Sequence, residues 1–353
     1  MRLEAHAPAP RLFPEGAVEP VASRPRSPRI GLALGGGSAR GWSHIGVIEA
    51  LEEGGIFPDI VAGCSIGAVV GGAYAAGRLG ALRDFALSLT RRRVMGMIDP
   101  RLTGSGLIAG ERLRRRLARE LTGYDIGKLP LSFASVATEF GTGHEVWLTR
   151  GSLVEAVRAS YAIPGVFPPV ALEGRLLMDG TLVNPVPVRL ARELGADLVI
   201  CVNLACETRP RARVIRPGHD PDELSQGAVE PDEAEIERTL DATVRRRGRW
   251  ALLTGASRRL MGRRTRPTLP EAAGRTAPGV ARVMLDAFNI TQDRISRARL
   301  AGEPPDVSIR PRLGEFGQFE FHRAAHAIDL GRDAGRAALP EIRRMLESAA
   351  ARV

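Results

Sequence analysis

At 353 residues and 44% apolar side chains, the chain can bury a sizeable core, and 50 basic against 40 acidic residues leave a formal net charge of +10. Three cysteines without framework spacing exclude a disulfide-stapled scaffold and point to a reducing compartment. No run of 18 uncharged apolar residues exists, which excludes a membrane-spanning helix.

The opening stretch, 1–27, mixes prolines and arginines without a sustained apolar run. It lacks the h-region of a signal peptide and reads as a disordered tail, so the protein is expected in the cytoplasm, with access to a membrane face. Arg29 to Leu34 reads as a buried strand running straight into Gly35-Gly36-Gly37-Ser38-Ala39-Arg40-Gly41. Ile45, Ile48, Ala50 and Leu51 then form the apolar stripe of a helix whose wet face carries Glu49, Glu52 and Glu53. Glycines between a strand and a helix leave bare amide donors facing one small volume. Three uses of such a loop compete. A dinucleotide loop fails because Arg40 or Ser38 stands where a glycine belongs, depending on the start chosen. A phosphate-binding P-loop over Gly36 to Ser43 fails because Trp42 replaces its lysine. An oxyanion hole, which needs only well-placed amides, remains.

Ile60-Val61-Ala62 is a second short strand, followed by Gly63-Cys64-Ser65-Ile66-Gly67 and a small-residue helix from Ala68 to Ala76. Gly-x-Ser-x-Gly at a strand-to-helix junction is a nucleophile elbow. Gly63 and Gly67 admit the tight turn, and the Ser65 hydroxyl is thrust clear of the backbone. The first amides of the following helix face any negative charge that forms nearby. Only the central residue of an elbow projects outward, so Cys64 is expected as a small packed residue and not as a thiol nucleophile.

Leu113, Leu117 and Leu121 recur every four residues, with Arg112, Arg115, Arg116 and Arg119 keeping water on the opposite side of a helix. Leu131 to Thr138 and Glu145 to Thr149 read as partner strands ahead of a helix that begins after Ser152. Asp179 closes an apolar run, Leu176-Leu177-Met178, and Gly180 follows it. Alone, an Asp-Gly pair is a turn or cap. Beside an elbow and a glycine loop, its carboxylate becomes the base that a serine hydroxyl needs. Asp197 to Leu204 is a further buried strand, and the strand–helix alternation from Arg29 to Leu204 argues for a mainly parallel sheet covered by helices.

From 207 to 278 the composition turns acidic and then strongly basic. Between Arg245 and Arg266 nine arginines and no acid are interleaved with Trp250, Leu252, Leu253, Leu260 and Met261. Such a stretch can lie on an anionic bilayer, bind nucleic acid, or pack against its acidic neighbour. Lys128 is the sole lysine, so arginine is a general bias of this chain and single arginines carry little weight. The pattern then resumes with a helical period from Ala281 to Ala301, a short strand over Pro305 to Pro311, and a helix from Phe321 to the end, broken near Pro340.

Four motifs in this order resemble the bacterial patatin-like phospholipase family. These are Gly35 to Gly41 with His44-Ile45-Gly46, the Gly63–Gly67 elbow, Ala159 to Pro169 leading through Ile-Pro-Gly-x-Phe-Pro-Pro, and Asp179-Gly180-Thr181. Thr181 stands where that family has glycine or alanine, and Cys64 where threonine is usual.

The resemblance implies a three-layer α/β fold, with a mainly parallel central sheet flanked by helices. Its catalytic core would span 28–206 and be completed by 279–353, with 207–278 as an insertion. It further implies a Ser-Asp dyad. Ser65 would attack an ester carbonyl, Asp179 would accept its proton, and amides of Gly35, Gly36, Gly37 and Ser38 would hold the oxyanion. Arg40, Gly41, Gly63, Gly67 and Gly180 would support this arrangement, with no cofactor and no metal. The implied substrate is a phospholipid or lysophospholipid. That favours an anionic membrane over nucleic acid as the contact of 245–266. Two rivals share the fold: a non-catalytic lipid-binding regulator, and an acyltransferase that passes the same acyl-serine to an alcohol.

Most serine hydrolases use histidine, and Ser65, Asp179 and His219 would satisfy the chain order of an α/β-hydrolase triad. His219 lies in a polar, proline-broken stretch with no scaffold to position it, so the triad is disfavoured. His44, close to the glycine loop, is expected as a structural hydrogen-bonder.

Overall fold

The computed structural model describes residues 27–100, 105–204, 239, 241–242, 279–314 and 316–351. The expected tail up to residue 26, Cys206, His219 and nearly all of 207–278, including the basic 245–266, lie outside the described residues.

In chain order the elements are β1 (Ile30–Leu34), α1 (Ser43–Glu53), β2 (Ile60–Cys64), α2 (Ile66–Ala75), α3 (Leu79–Leu87), α4 (Arg91–Met97) and α5 (Glu111–Leu121). There follow β3 (Ser132–Glu139), β4 (Glu145–Leu148), α6 (Leu153–Ser160), β5 (Val170–Leu172), β6 (Arg175–Asp179), α7 (Val188–Glu193), β7 (Leu198–Val202), α8 (Val280–Gly302), β8 (Val307–Ile309) and α9 (Ala324–Ala350). One sheet runs β5-β6-β3-β2-β1-β7-β8, with β4 also on β3. Strands β3, β2, β1, β7 and β8 are parallel; β4, β6 and β5 add antiparallel pairings at one side. This is the mixed, mostly parallel α/β architecture that the resemblance implies.

The period of two decides which layer each strand residue feeds. Leu32, Leu34, Val61, Phe133, Leu198 and Ile200 point to one face, where they pack with Ile45, Ile48 and Leu51 of α1, Val70 of α2 and Ile328 of α9. Ala33, Ala62, Cys64, Ala134, Val136 and Cys201 point to the other, under Val188, Leu190 and Ala191 of α7. Large side chains thus fill the thick layer and small ones the thin layer. Both faces are covered, which is why the central strands are apolar throughout instead of alternating.

α1 is buried more fully than its amphipathic stripe predicts, because α9 lies directly on it. A Cβ on Gly46 would sit 1.9 Å from the Ile328 carbonyl oxygen, and one on Gly331 would sit 1.9 Å from that of Ser43. The two helices cross backbone to backbone, at glycines on both sides. The same packing explains a departure from expectation: α9 runs unbroken through Pro340. Proline removes one intrahelical hydrogen bond. Here its ring is exposed, and contacts on the opposite side, Leu339 against Gly54 and Gly335 against Ala50, hold the helix across the gap.

Candidate active site

The site forms where β1, β2 and β6 end, and one strand sets its register. β3 pairs with β2 up to Cys64 opposite Val136, and with β6 from Asp179 opposite Ala137. β4 pairs with Ser135 to Thr138 and so occupies the other edge. β2 and β6 therefore meet head-on along one edge of β3, and the residue after Cys64 is delivered beside Asp179.

That residue is Ser65, with φ 54° and ψ −120°, a backbone conformation that costs a non-glycine residue about 1–3 kcal/mol and persists only under outside constraint. The constraints are visible. Ser65 N–H donates to Ser160 Oγ at 2.9 Å, and Ser160 Oγ donates to the Val136 carbonyl at 2.6 Å. A Cβ on Gly67 would lie 2.1 Å from the Leu34 carbonyl oxygen, so only glycine lets α2 start this close to β1. Cys64 is fully buried, as expected of a packed neighbour; burial first, and then the Asp179 charge, push its thiol pKa well up and keep it neutral.

Ser65 Oγ donates to Asp179 Oδ2 at 2.7 Å. Asp179 is wholly buried, and its other oxygen, Oδ1, accepts from Thr181 N at 2.8 Å and Thr181 Oγ1 at 2.6 Å. Its backbone is pinned on both sides: its N–H donates to the Ala162 carbonyl, and its own carbonyl accepts from Thr138 Oγ1. Burial pushes the Asp179 carboxyl up to about 6, against the downward pull of the Thr181 and Ser65 hydrogen bonds. Gly180 is dictated by space, since a Cβ there would lie 2.3 Å from the Val136 carbonyl oxygen.

The glycine loop leaves β1 and tightens into a 3-10 turn over Ser38–Trp42. Its four candidate donors divide. Gly35 N–H donates to the Val202 carbonyl and Gly36 N–H to the Pro185 carbonyl, so both are spent on holding the loop. Among the described residues the amides of Gly37 and Ser38 have no such internal acceptor, and Ser38 has a positive φ of 51°. Arg40 Nε donates to the Gly37 carbonyl at 3.3 Å, a steadying contact. His44 Nε2 donates to the Gly35 carbonyl at 2.8 Å; complete burial lowers its pKa to about 4, so it is a neutral tie. Gly41 abuts Ile66, where a Cβ would come within 2.2 Å of that side chain.

Ser38 and Ser65 open onto a cavity of about 160 Å³ whose remaining walls are aliphatic and aromatic, among them Phe85, Met97, Leu117, Phe167 and Phe319. The Leu113–Leu117 stripe of α5, expected as a core-facing feature, forms part of this wall. Among the described residues no helix is long and apolar enough to cross a membrane, and no three His, Cys, Asp or Glu side chains converge as a metal cluster.

Sequence reading missed Ser160, Thr138 and Gln292, whose amide lies within hydrogen-bond reach of Thr181 Oγ1. Ser160 lies inside the Ala159–Pro169 motif, but nothing in a run of small residues shows that one hydroxyl reaches 95 residues back to the elbow.

Comparison with known proteins gives the family. The model of the patatin-like phospholipase family matches residues 32–192, a span that contains both Ser65 and Asp179. An uncharacterized NTE family protein of Mycobacterium tuberculosis is 36% identical over 334 residues, covering 89% of this chain and 92% of that protein. A lysophospholipase of Emericella nidulans is 34% identical over 190 residues, half of this chain but 12% of that protein. The human patatin-like phospholipase domain-containing protein 6 is 36% identical over 185 residues, again half of this chain and 13% of that one. With 36% identity across nearly the whole of a relative of its own size, this chain belongs to the patatin-like phospholipase family and has NTE family proteins as its relatives.

Proposed function

We propose that the protein is a serine lipid acyl hydrolase of the phospholipase A or lysophospholipase type. The observation that carries this reading is the 2.7 Å contact between Ser65 Oγ and a fully buried Asp179, opening onto an apolar cavity. Two relatives carry lysophospholipase or phospholipase in their names, which supports the same substrate class.

Ser65 Oγ attacks the ester carbonyl carbon while its proton passes to Asp179 Oδ2. A base whose pKa lies near 6 is ionised at neutral pH, yet strong enough to assist. The amides of Gly37 and Ser38, with the first turn of α2, face the oxyanion, and Gly35 and Gly36 hold the loop. As the tetrahedral intermediate collapses, the ester C–O bond breaks and the leaving alcohol takes the proton from Asp179. A water then attacks the acyl-serine with Asp179 again as base, releasing the fatty acid. The acyl chain lies in the apolar cavity, where burial of each methylene contributes about 0.8 kcal/mol of binding.

The substrate arrives from a membrane surface. The basic 245–266 segment supplies the anionic-lipid contact, and Val280, Val283 and Met284, exposed on the first turns of α8 directly after the insertion, add apolar area.

A fluorophosphonate probe tests the reading. Wild-type protein is expected to be labelled covalently at Ser65 and to release fatty acid from a lysophospholipid, and Ser65→Ala to do neither. A folded wild-type protein that takes no label supports the non-catalytic regulator instead, and an acylated alcohol in place of free fatty acid supports the acyltransferase.

A further inference from the structure

We infer that Thr181, braced by Gln292 of α8, is a positioning residue that occupies Asp179 Oδ1 and confines the transferred proton to Oδ2, the oxygen facing Ser65. This rests on the Ser65–Asp179 chemistry proposed above.

The geometry assigns every proton in the chain of contacts. Asp179 Oδ1 accepts from Thr181 N at 2.8 Å and from Thr181 Oγ1 at 2.6 Å. A hydroxyl has one hydrogen, and an ionised carboxylate cannot supply another, so the Thr181 hydrogen is committed to Asp179. Thr181 Oγ1 can then only accept from its second neighbour, which fixes Gln292 Nε2 as the donor. The relay runs one way, from Gln292 to Thr181 to Asp179 Oδ1. Linked hydrogen bonds polarise one another, so the Gln292 contact strengthens Thr181 as a donor.

With Oδ1 saturated by two donors, a proton arriving from Ser65 stays on Oδ2, where the leaving alcohol can collect it. A carboxylate with an open Oδ1 could rotate or protonate on the wrong oxygen. Thr181 also touches the third part of the site: a Cβ on Gly36 would lie 2.3 Å from its methyl carbon and 3.4 Å from Ser65 Cβ. Glycine or alanine at position 181 would keep the backbone donor and lose the hydroxyl, the methyl contact and the link to α8.

The Thr181 side-chain and backbone hydrogen bonds pull the Asp179 carboxyl down while burial pushes it up. The titratable groups on the elements packed here are Cys64 of β2, kept protonated by burial, His44, kept neutral by burial, Glu145 of β4 and Arg299 of α8. The last two form an ion pair at 2.9 Å.

The test is the rate of fluorophosphonate labelling of the full chain from about pH 5 to pH 9, together with thermal melting. Thr181→Val keeps the shape and removes the hydroxyl. Its acid limb is expected to move up by about one pH unit, which slows labelling by up to about tenfold below pH 6 and less than about twofold at pH 8. Gln292→Leu, which leaves Thr181 itself in place, is expected to move the limb the same way by less, and Thr181→Ser to retain the wild-type limb. Equal slowing at every pH in Thr181→Val, or an unmoved limb in folded Gln292→Leu, overturns the inference. Absence of labelling in wild-type protein instead overturns the Ser65–Asp179 reading itself, so the two failures are distinct.

Discussion

Ser160 Oγ accepts the Ser65 amide hydrogen at 2.9 Å and gives its own to the Val136 carbonyl at 2.6 Å, so one hydroxyl ties the strained elbow to β3. All three groups are buried. Ser160→Ala leaves one donor and one acceptor without partners, and each orphaned buried group costs about 1–3 kcal/mol. The variant is expected to melt at a lower temperature, with a loss of about 2 kcal/mol or more. It is also expected to be labelled at Ser65 at least about tenfold more slowly, because a relaxed elbow withdraws Oγ from Asp179. Unchanged melting and labelling would show that another contact fixes the elbow.

Burial of Asp179 links stability to pH, and its pKa sets the sign. Its folded value, about 6, is raised above the ordinary carboxylate value of 3.8 by burial. A raised value means that the folded state favours the protonated form. The associated stability is fully present below the unfolded pKa and is lost as pH rises through about 6. Asp179→Asn is neutral at all pH, keeps an oxygen for the Thr181 donors, and can present its amide to Ser65 Oγ. It is expected to match wild type in stability near pH 4 and to exceed it above pH 7 by on the order of 2 kcal/mol. Activity is expected to fall by on the order of 10³-fold. Wild-type kcat/KM should rise with pH through about 6 on its acid limb. Denaturant melts and kcat/KM profiles across this range check both halves. A variant no more stable than wild type at pH 8 would mean that the ionised carboxylate is well solvated.

How much of this was legible beforehand varies with the length scale of the cause. The elbow, the glycine loop and the strand ending at Asp179 were readable because each is local: tight turns need small residues at fixed offsets, and buried strands need apolar runs. The proline at position 340 predicts a helix break that the structure lacks, because what spans it, the glycine-lined contact of α9 with α1, is made by residues nearly 300 positions away. The division of the glycine loop is likewise hidden. Gly35 and Gly36 look identical to Gly37 in sequence, and only the arrival of Val202 and Pro185 separates anchoring amides from open ones. Gln292 carried no signal at all, since a glutamine on a polar helix is ordinarily solvated.

Two glycines separate close packing from mere composition. A Cβ on Gly67 would lie 2.1 Å from the Leu34 carbonyl oxygen, a rigid backbone atom. A Cβ on Gly80, near the start of α3, would meet nothing within 4 Å. Gly67→Ala must push α2 away from β1 and is expected to cost upwards of about 3 kcal/mol or to yield insoluble protein. Gly80→Ala is expected to be neutral or to stabilise by up to about 1 kcal/mol, as alanine is the better helix former. Chemical denaturation of both variants decides. A mild Gly67→Ala would show that the helix start can shift without loss.

The proposed membrane contact through the insertion separates binding from chemistry. Nine arginines lie between 245 and 266, and each basic side chain near an anionic surface contributes about 1 kcal/mol, screened by salt. Changing Arg245, Arg246, Arg247 and Arg249 to glutamine is expected to weaken binding to phosphatidylserine-containing vesicles by at least about tenfold, and to leave binding to purely zwitterionic vesicles nearly unaltered. Turnover of a short, soluble ester should hold at the wild-type rate, because these residues lie 66 or more positions beyond Asp179 in the chain and outside the motifs that build the site. Vesicle co-sedimentation at low and high salt, run beside the soluble-ester assay, reads both quantities. Vesicle binding that is insensitive to the four substitutions and to salt would remove the electrostatic contact. The exposed Val280, Val283 and Met284 of α8 would then be left as the surface to substitute next.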